Sequence, residues 1–110
     1  MKDGTVKLGT TEVKASGNAA VVKLPIEWLA SHELQVGDPL FTVLTIDKVI
    51  RVHLTPVEWS KRAKVRRAAQ RGAAYVTLSA PHVRKLGWVT GTKLRLRADE
   101  EHKILLIDKA

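Results

Sequence analysis

Displaced by 54 positions, the sequence lays its apolar residues and turn glycines over one another. Val22 falls on Val76, Leu24 on Leu78, Leu29 on Val83, Leu34 on Trp88 and Gly37 on Gly91; Leu40 on Leu94, Ile50 on Ile104 and Val52 on Leu106 continue the match. A register held over two whole units marks an internal repeat. Each unit, at about 45 residues, is too small to bury a good core alone. Two units that interleave can share one barrel and remove their exposed sheet edges. The division expected is a first half over residues 1–54, a connector over 55–60 and a second half over 61–110, forming one globular body.

Within the first unit, residues 1–12 are rich in Gly and Thr and predict a frayed start merging into a strand. Ser16-Gly17-Asn18 is a turn signal, because Gly and Asn tolerate positive φ. Val21 to Leu24 reads as a strand. Pro25 suits the first position of a helix, and the spacing of Ile26, Leu29, Ala30 and Leu34 predicts two turns over Ile26–Glu33. Gly37-Asp38 turns the chain, and Leu40–Ile46 with Val49–Leu54 form a hairpin across Asp47-Lys48. The second unit repeats this order. A strand over Tyr75–Leu78 leads to a helix over Pro81–Leu86 with Gly87 as its C-cap. Strand residues Leu94 and Leu96, a turn at Asp99–His102 and a strand over Ile104–Ile107 follow. The fold class expected is mainly β with two short helices.

Charge is distributed unevenly along the 110 residues. Residues 1–60 carry six Lys and Arg against seven Asp and Glu; residues 61–110 carry thirteen against four, for a total of +8. The densest run, Lys61 to Arg71, holds Lys61, Arg62, Lys64, Arg66, Arg67 and Arg71 with no acid, and ends at Gly72. Uncompensated cations on one arm repel unless an anion lies between them, and a phosphate backbone is the commonest such anion. A solvated linker is the competing explanation of the same run. Arg66 and Arg67 are neighbours on an expected strand, so their side chains point to opposite faces, and only one of them shares a face with Lys64. Lys93, Arg95 and Arg97 alternate with Leu94 and Leu96 and share one outward face; they are expected to blunt a sheet edge rather than to form a second DNA patch.

Several functions find no support. The chain has no cysteine, hence no disulfide, thiolate metal site or cysteine nucleophile. His32, His53, His82 and His102 lack ligand spacing, so neither a metal nor another cofactor is expected. No nucleotide-binding or nucleophile-elbow motif occurs, and no Gly-Ser pair offers a self-cleavage site, so nothing argues for an enzyme. Met1-Lys2-Asp3-Gly4 is not followed by a signal-peptide core, and no apolar run approaches the roughly 20 residues of a membrane span. The expectation is a cytoplasmic protein with no membrane partner. Trp28 and Trp88 are expected in the core, and Trp59 is expected to pack the connector. The basic arm holds no aromatic residue for stacking single-stranded bases, which favours duplex DNA as partner.

The stretch Ser16-Gly17-Asn18-Ala19-Ala20-Val21-Val22-Lys23-Leu24-Pro25 resembles the Gly-Asn-x-x-x-Val-basic-apolar-Pro signature of the MazE branch of the AbrB-type swapped-hairpin proteins. The short helix, the Leu-x-x-Gly-Asp turn and the apolar hairpin that follow are similar to the same family. Tyr75 to Trp88 resembles it more loosely, with Ser79 where the family often has Pro. The resemblance implies a swapped-hairpin barrel, here made by tandem repeats in one chain, that binds duplex DNA and regulates transcription. It implies that Lys14, Gly17, Asn18 and Lys23 face the duplex, together with Arg66, Arg67, Arg71 and Gly72 in the second unit. Ala15 and Ser16 replace a basic and an aromatic residue common in the family, and Thr77 occupies the place matching Lys23. DNA contact is therefore expected to lean on the second unit. Two rival readings stay open. One is an antitoxin that binds DNA and a toxin, although no long acidic tail of the kind such antitoxins use precedes Ala110. The other is a protein-interaction barrel with no nucleic acid. Self-association into dimers is compatible with each.

Overall fold

The computed structural model describes residues 5–67 and 73–110. It is mainly β, with two short helices and an antiparallel sheet curled into a half-barrel. The strands are β1 (Thr5–Glu12), β2 (Lys14–Ser16), β3 (Ala19–Lys23), β4 (Pro39–Leu44), β5 (Ile50–His53), β6 (Lys61–Arg67), β7 (Ala74–Thr77), β8 (Lys93–Asp99) and β9 (Ile104–Lys109). The helices are α1 (Ile26–Ser31) and α2 (Ala80–Leu86).

The order across the sheet is β1-β8-β9-β5-β4-β6-β7-β3-β2. Its two ends, β1 and β2, are separated in the chain by one residue, Val13. Sequence neighbours are not always sheet neighbours. β1 pairs with β8 and β6 with β4, so the first strand of each half lies against a strand of the other. β5 pairs with β9 through Ile50 opposite Ile107, and β3 with β7 through Val22 opposite Val76. β6 changes partner along its length: Lys61 to Lys64 run along β4, and Val65 to Arg67 run along β7.

Two valines stand at matching junctions. The Val13 N–H donates to the Thr92 carbonyl at 3.0 Å, and its own carbonyl accepts from Gly91 N–H at 2.8 Å. Val65 N–H donates to Asp38 at 2.9 Å, and its carbonyl accepts from Gly37 N–H at 2.8 Å. Gly37 and Gly91 hold φ of 97° and 93°, which a residue with a Cβ rarely adopts. The valines lie 52 positions apart, whereas the glycines keep the 54-residue spacing, so the stretch from Val65 to Val76 is two residues longer than that from Val13 to Val22.

The alternation that drives the strands also builds the core. Val22, Val65 and Val76 are opposed across β3, β7 and β6 and are almost wholly buried. Leu40, Ile50, Val52, Leu94, Leu105 and Ile107 fill the other side. Trp28 on α1 and Trp88 after α2 are buried against the same cluster. At about 25 cal/mol per Å2 of apolar area, residues of this size each contribute roughly 1.5–3 kcal/mol.

Four expectations need correction. α1 ends at Ser31, two residues before Glu33, because Glu33 adopts a left-handed φ of 53° that stops the helix. Pro25 is its N-cap in extended conformation, not its first helical residue. Trp59 does not pack the connector; it is 83% exposed. β8 is not a sheet edge, since it lies between β1 and β9. α2 opens at Ala80 behind Ser79 and closes on Gly87 at φ 71°, as its sequence leads one to expect. No helix among the described residues is long and apolar enough to cross a membrane.

Candidate nucleic-acid interface

The alternation in β6 exposes every residue of even number. Arg62, Lys64 and Arg66 therefore share one face, while Ala63 and Val65 turn inward. Arg66 stands opposite Tyr75 on β7, and Tyr75 stands opposite Lys23 on β3. Lys14 on β2 is opposite Val21, two positions before Lys23. The outer face of this four-stranded region thus carries Lys14, Lys23, Lys64 and Arg66 around Tyr75. At about 4.8 Å between strands, Arg66 and Lys23 are about 10 Å apart at Cα; four residues of β6 extend about 13 Å along it. Lys14, Arg66 and Tyr75 border a depression of about 210 Å3 with Val21 as its floor. A cleft of about 490 Å3 beside it takes Arg62, Lys64 and Arg66 on one wall and Thr77 and Ser79 on the other.

Ion pairing separates these cations from the others. Lys93 pairs with Glu12 at 3.2 Å, and Arg95 forms two hydrogen bonds to Asp108, at 3.1 and 2.6 Å. The Asp108 carboxylate, by accepting those bonds, raises the pKa of Arg95. Arg97 also lies 3.6 Å from Asp108. The charges of β8 are thus answered by acids on neighbouring strands, not left to guard an edge. Lys14 has one distant partner, Glu12 at 3.9 Å. Among the described residues, Lys23, Lys61, Arg62, Lys64, Arg66 and Arg67 have no carboxylate at ion-pairing distance.

Not every candidate residue joins this face. Lys61 and Arg67 belong to the opposite register of β6, at its two ends, but both are exposed and reach its borders: Lys61 lines the larger cleft and Arg67 the smaller depression. Gly17 and Asn18 form the exposed two-residue turn between β2 and β3, with Gly17 at φ 61°. They sit at the edge of the face and not in its middle. Arg71 and Gly72 lie outside the described residues.

Two members of the face come from positions the charge pattern does not flag. The Arg66 guanidinium donates to the Thr77 hydroxyl at 3.0 Å, which fixes its direction. Thr77, 54 positions after Lys23, thus orients a cation where Lys23 supplies one. Tyr75 separates Arg66 from Lys23. The parity of β7 held the signal: Tyr75 and Thr77 alternate with the buried Ala74 and Val76.

Among the described residues no group of His, Asp and Glu is arranged to hold a metal ion. His53 and His82 both have lowered pKa values, mainly through burial and further through nearby cations: Arg51 for the first, Lys61 and Lys85 for the second. No family model matches the chain. Nor does any curated protein or solved structure.

Proposed function

We propose that this chain is a duplex-DNA-binding regulator, a swapped-hairpin barrel of AbrB/MazE type built from two tandem units. The observation that carries the reading is the set of cations on one face of β6, β7, β3 and β2, which apart from Lys14 have no ion-pair partner among the described residues. Arg62, Lys64 and Arg66 advance along one strand, and Lys23 and Lys14 extend the face sideways. Such a layout follows a phosphate backbone, where each contact releases a condensed counterion. Arg66, held by Thr77, gives the face one side chain of fixed direction, and the amide of Asn18 at the turn is of a type that reads base edges.

The tandem-unit reading has its own support. Val13 with Gly91 and Val65 with Gly37 make like bonds, as do Leu24 N–H to Ala74 at 2.8 Å and Leu78 N–H to Ala20 at 2.9 Å. Each half then completes the other.

The test compares two charge-matched variants in binding to a random-sequence duplex. Lys64→Ala with Arg66→Ala removes two unpaired cations; Lys93→Ala with Arg95→Ala removes two paired ones. The first should weaken binding by about tenfold or more at low salt, and the second should change it little. Equal losses would mean that only net charge matters, and the proposed face would fall. Asn18→Ala should alter sequence preference more than overall affinity.

A further inference from the structure

Ile46 is fully exposed and Trp59 is 83% exposed, on a chain whose other two tryptophans are buried. The turn that presents Trp59 is well tied. Val57 N–H donates to the Ser60 hydroxyl at 3.3 Å, and that hydroxyl donates to the Val57 carbonyl at 2.6 Å. Ser60 N–H donates to the same carbonyl at 3.1 Å. This turn holds Trp59 at φ 68°, a conformation that costs a residue with a Cβ about 1–2 kcal/mol. A glycine would serve the turn better, and the indole contributes no core packing there.

Trp59 and Ile46 border a groove of about 520 Å3 between the β4–β5 turn, the connector and α2, with Leu44 and Leu86 completing its apolar walls. Its polar wall is basic: Lys48, His82 and Lys85 line it, and no carboxylate does. The His82 imidazole is held below its ordinary pKa first by burial and then by the charges of Lys61 and Lys85.

We propose that this groove docks an acidic peptide segment of a partner protein, anchored by a leucine or aromatic side chain. The anchor would lie against Trp59, Ile46 and Leu86, with carboxylates of the same segment on Lys48 and Lys85. Exposed tryptophans beside a cleft are the residue type that most often dominates protein interfaces. An apolar anchor explains the walls, which a phosphate backbone has no use for. Acidic flanks explain the rim, and the same rim disfavours a second copy of this chain, whose net charge is +8. The proposal does not rest on DNA binding.

The probe is a short peptide alternating Glu and Leu, free of tryptophan, titrated into the full chain. Trp59 is the exposed indole, so its emission should shift to the blue and saturate. A Lys/Leu peptide and a Glu/Ser peptide should leave it unshifted. Lys48→Glu with Lys85→Glu should weaken the Glu/Leu peptide by about tenfold or more and admit the Lys/Leu peptide instead. Trp59→Ser, at an exposed site, should weaken binding of a dye-labelled Glu/Leu peptide by about tenfold, with the far-ultraviolet dichroism unchanged. No saturable shift in wild type, equal binding of the Lys/Leu or Glu/Ser peptide, or a shift produced by concentrating the protein alone would each overturn the proposal. The last would assign the groove to a second copy.

Discussion

Truncating Leu24 to Ala asks whether the two halves stand or fall together. Leu24 is 1% exposed and Leu78 is 3% exposed; each donates its N–H to a carbonyl in the other half, Ala74 and Ala20 respectively. The change removes three carbons, worth about 2.4 kcal/mol at 0.8 kcal/mol per CH2. The cavity left in a close-packed seam raises this to about 3–4 kcal/mol, within the usual span of Leu→Ala substitutions. With a urea m-value of about 2 kcal/mol/M for a domain of this size, the midpoint falls by about 1.5–2 M. Leu78→Ala should cost about the same. Trp28 and Trp88, one in each half and both buried, report the loss by fluorescence. One cooperative transition is expected in every variant, and exposed Lys23→Ala should stay within about 0.5 kcal/mol of wild type. Two separable transitions, or Leu24→Ala shifting only the Trp28 signal, would refute the interleaving. A loss as large for Lys23→Ala would refute the inside–outside register.

Gly87→Ala should cost about 1–2 kcal/mol through strain alone, since φ is 71° and a Cβ there meets nothing within 4 Å; Gly87→Asn should recover part of it in the same denaturation assay. His102 should titrate above 6.5 by proton NMR, because its ring is hydrogen-bonded at 2.9 Å to Asp99, whose own pKa is lowered by the same contact. The turn's stabilisation is then full below pH 6.5 on the His102 side and fades as pH rises through its raised pKa; on the Asp99 side it fades as pH falls through the lowered carboxylate pKa. In Asp99→Asn, the His102 midpoint should move back toward 6.5.

The strands and helices were largely legible because their causes are local. Alternation marked β3, β4, β7 and β8; Pro81 and Gly87 bounded α2; Gly37 and Gly91 marked turns. What was not legible depended on partners far away in sequence. Nothing near Lys93 and Arg95 says that Glu12 and Asp108 lie beside them, so a strand inside the sheet read as an edge. Trp59 read as buried because large aromatics usually are, and only the tied Val57–Ser60 turn reveals its exposure. The change of spacing from 54 to 52 was hidden because the apolar matches at an offset of 54 begin at Val22, after the Gly17–Asn18 turn. For the candidate site, period-two alternation placed Lys64 and Arg66 together and Arg67 opposite. The join between β3 and β7, which brings Lys23 and Tyr75 beside Arg66, needed the topology.

The salt dependence of binding to one duplex tests the proposed DNA-binding face most directly. On that proposal Lys14, Lys23, Arg62, Lys64 and Arg66 would make five phosphate contacts, each contributing about −0.9 to the slope of log K against log salt. Fluorescence anisotropy at several salt concentrations should therefore give a slope of about −4.5 for wild type. Removing Lys64 and Arg66 should reduce its magnitude by about 1.8. Removing the ion-paired Lys93 and Arg95 should leave it unchanged. Absence of binding at low salt, or a full slope in the Lys64/Arg66 variant, would contradict the assignment and leave the basic arm as a solvated strand.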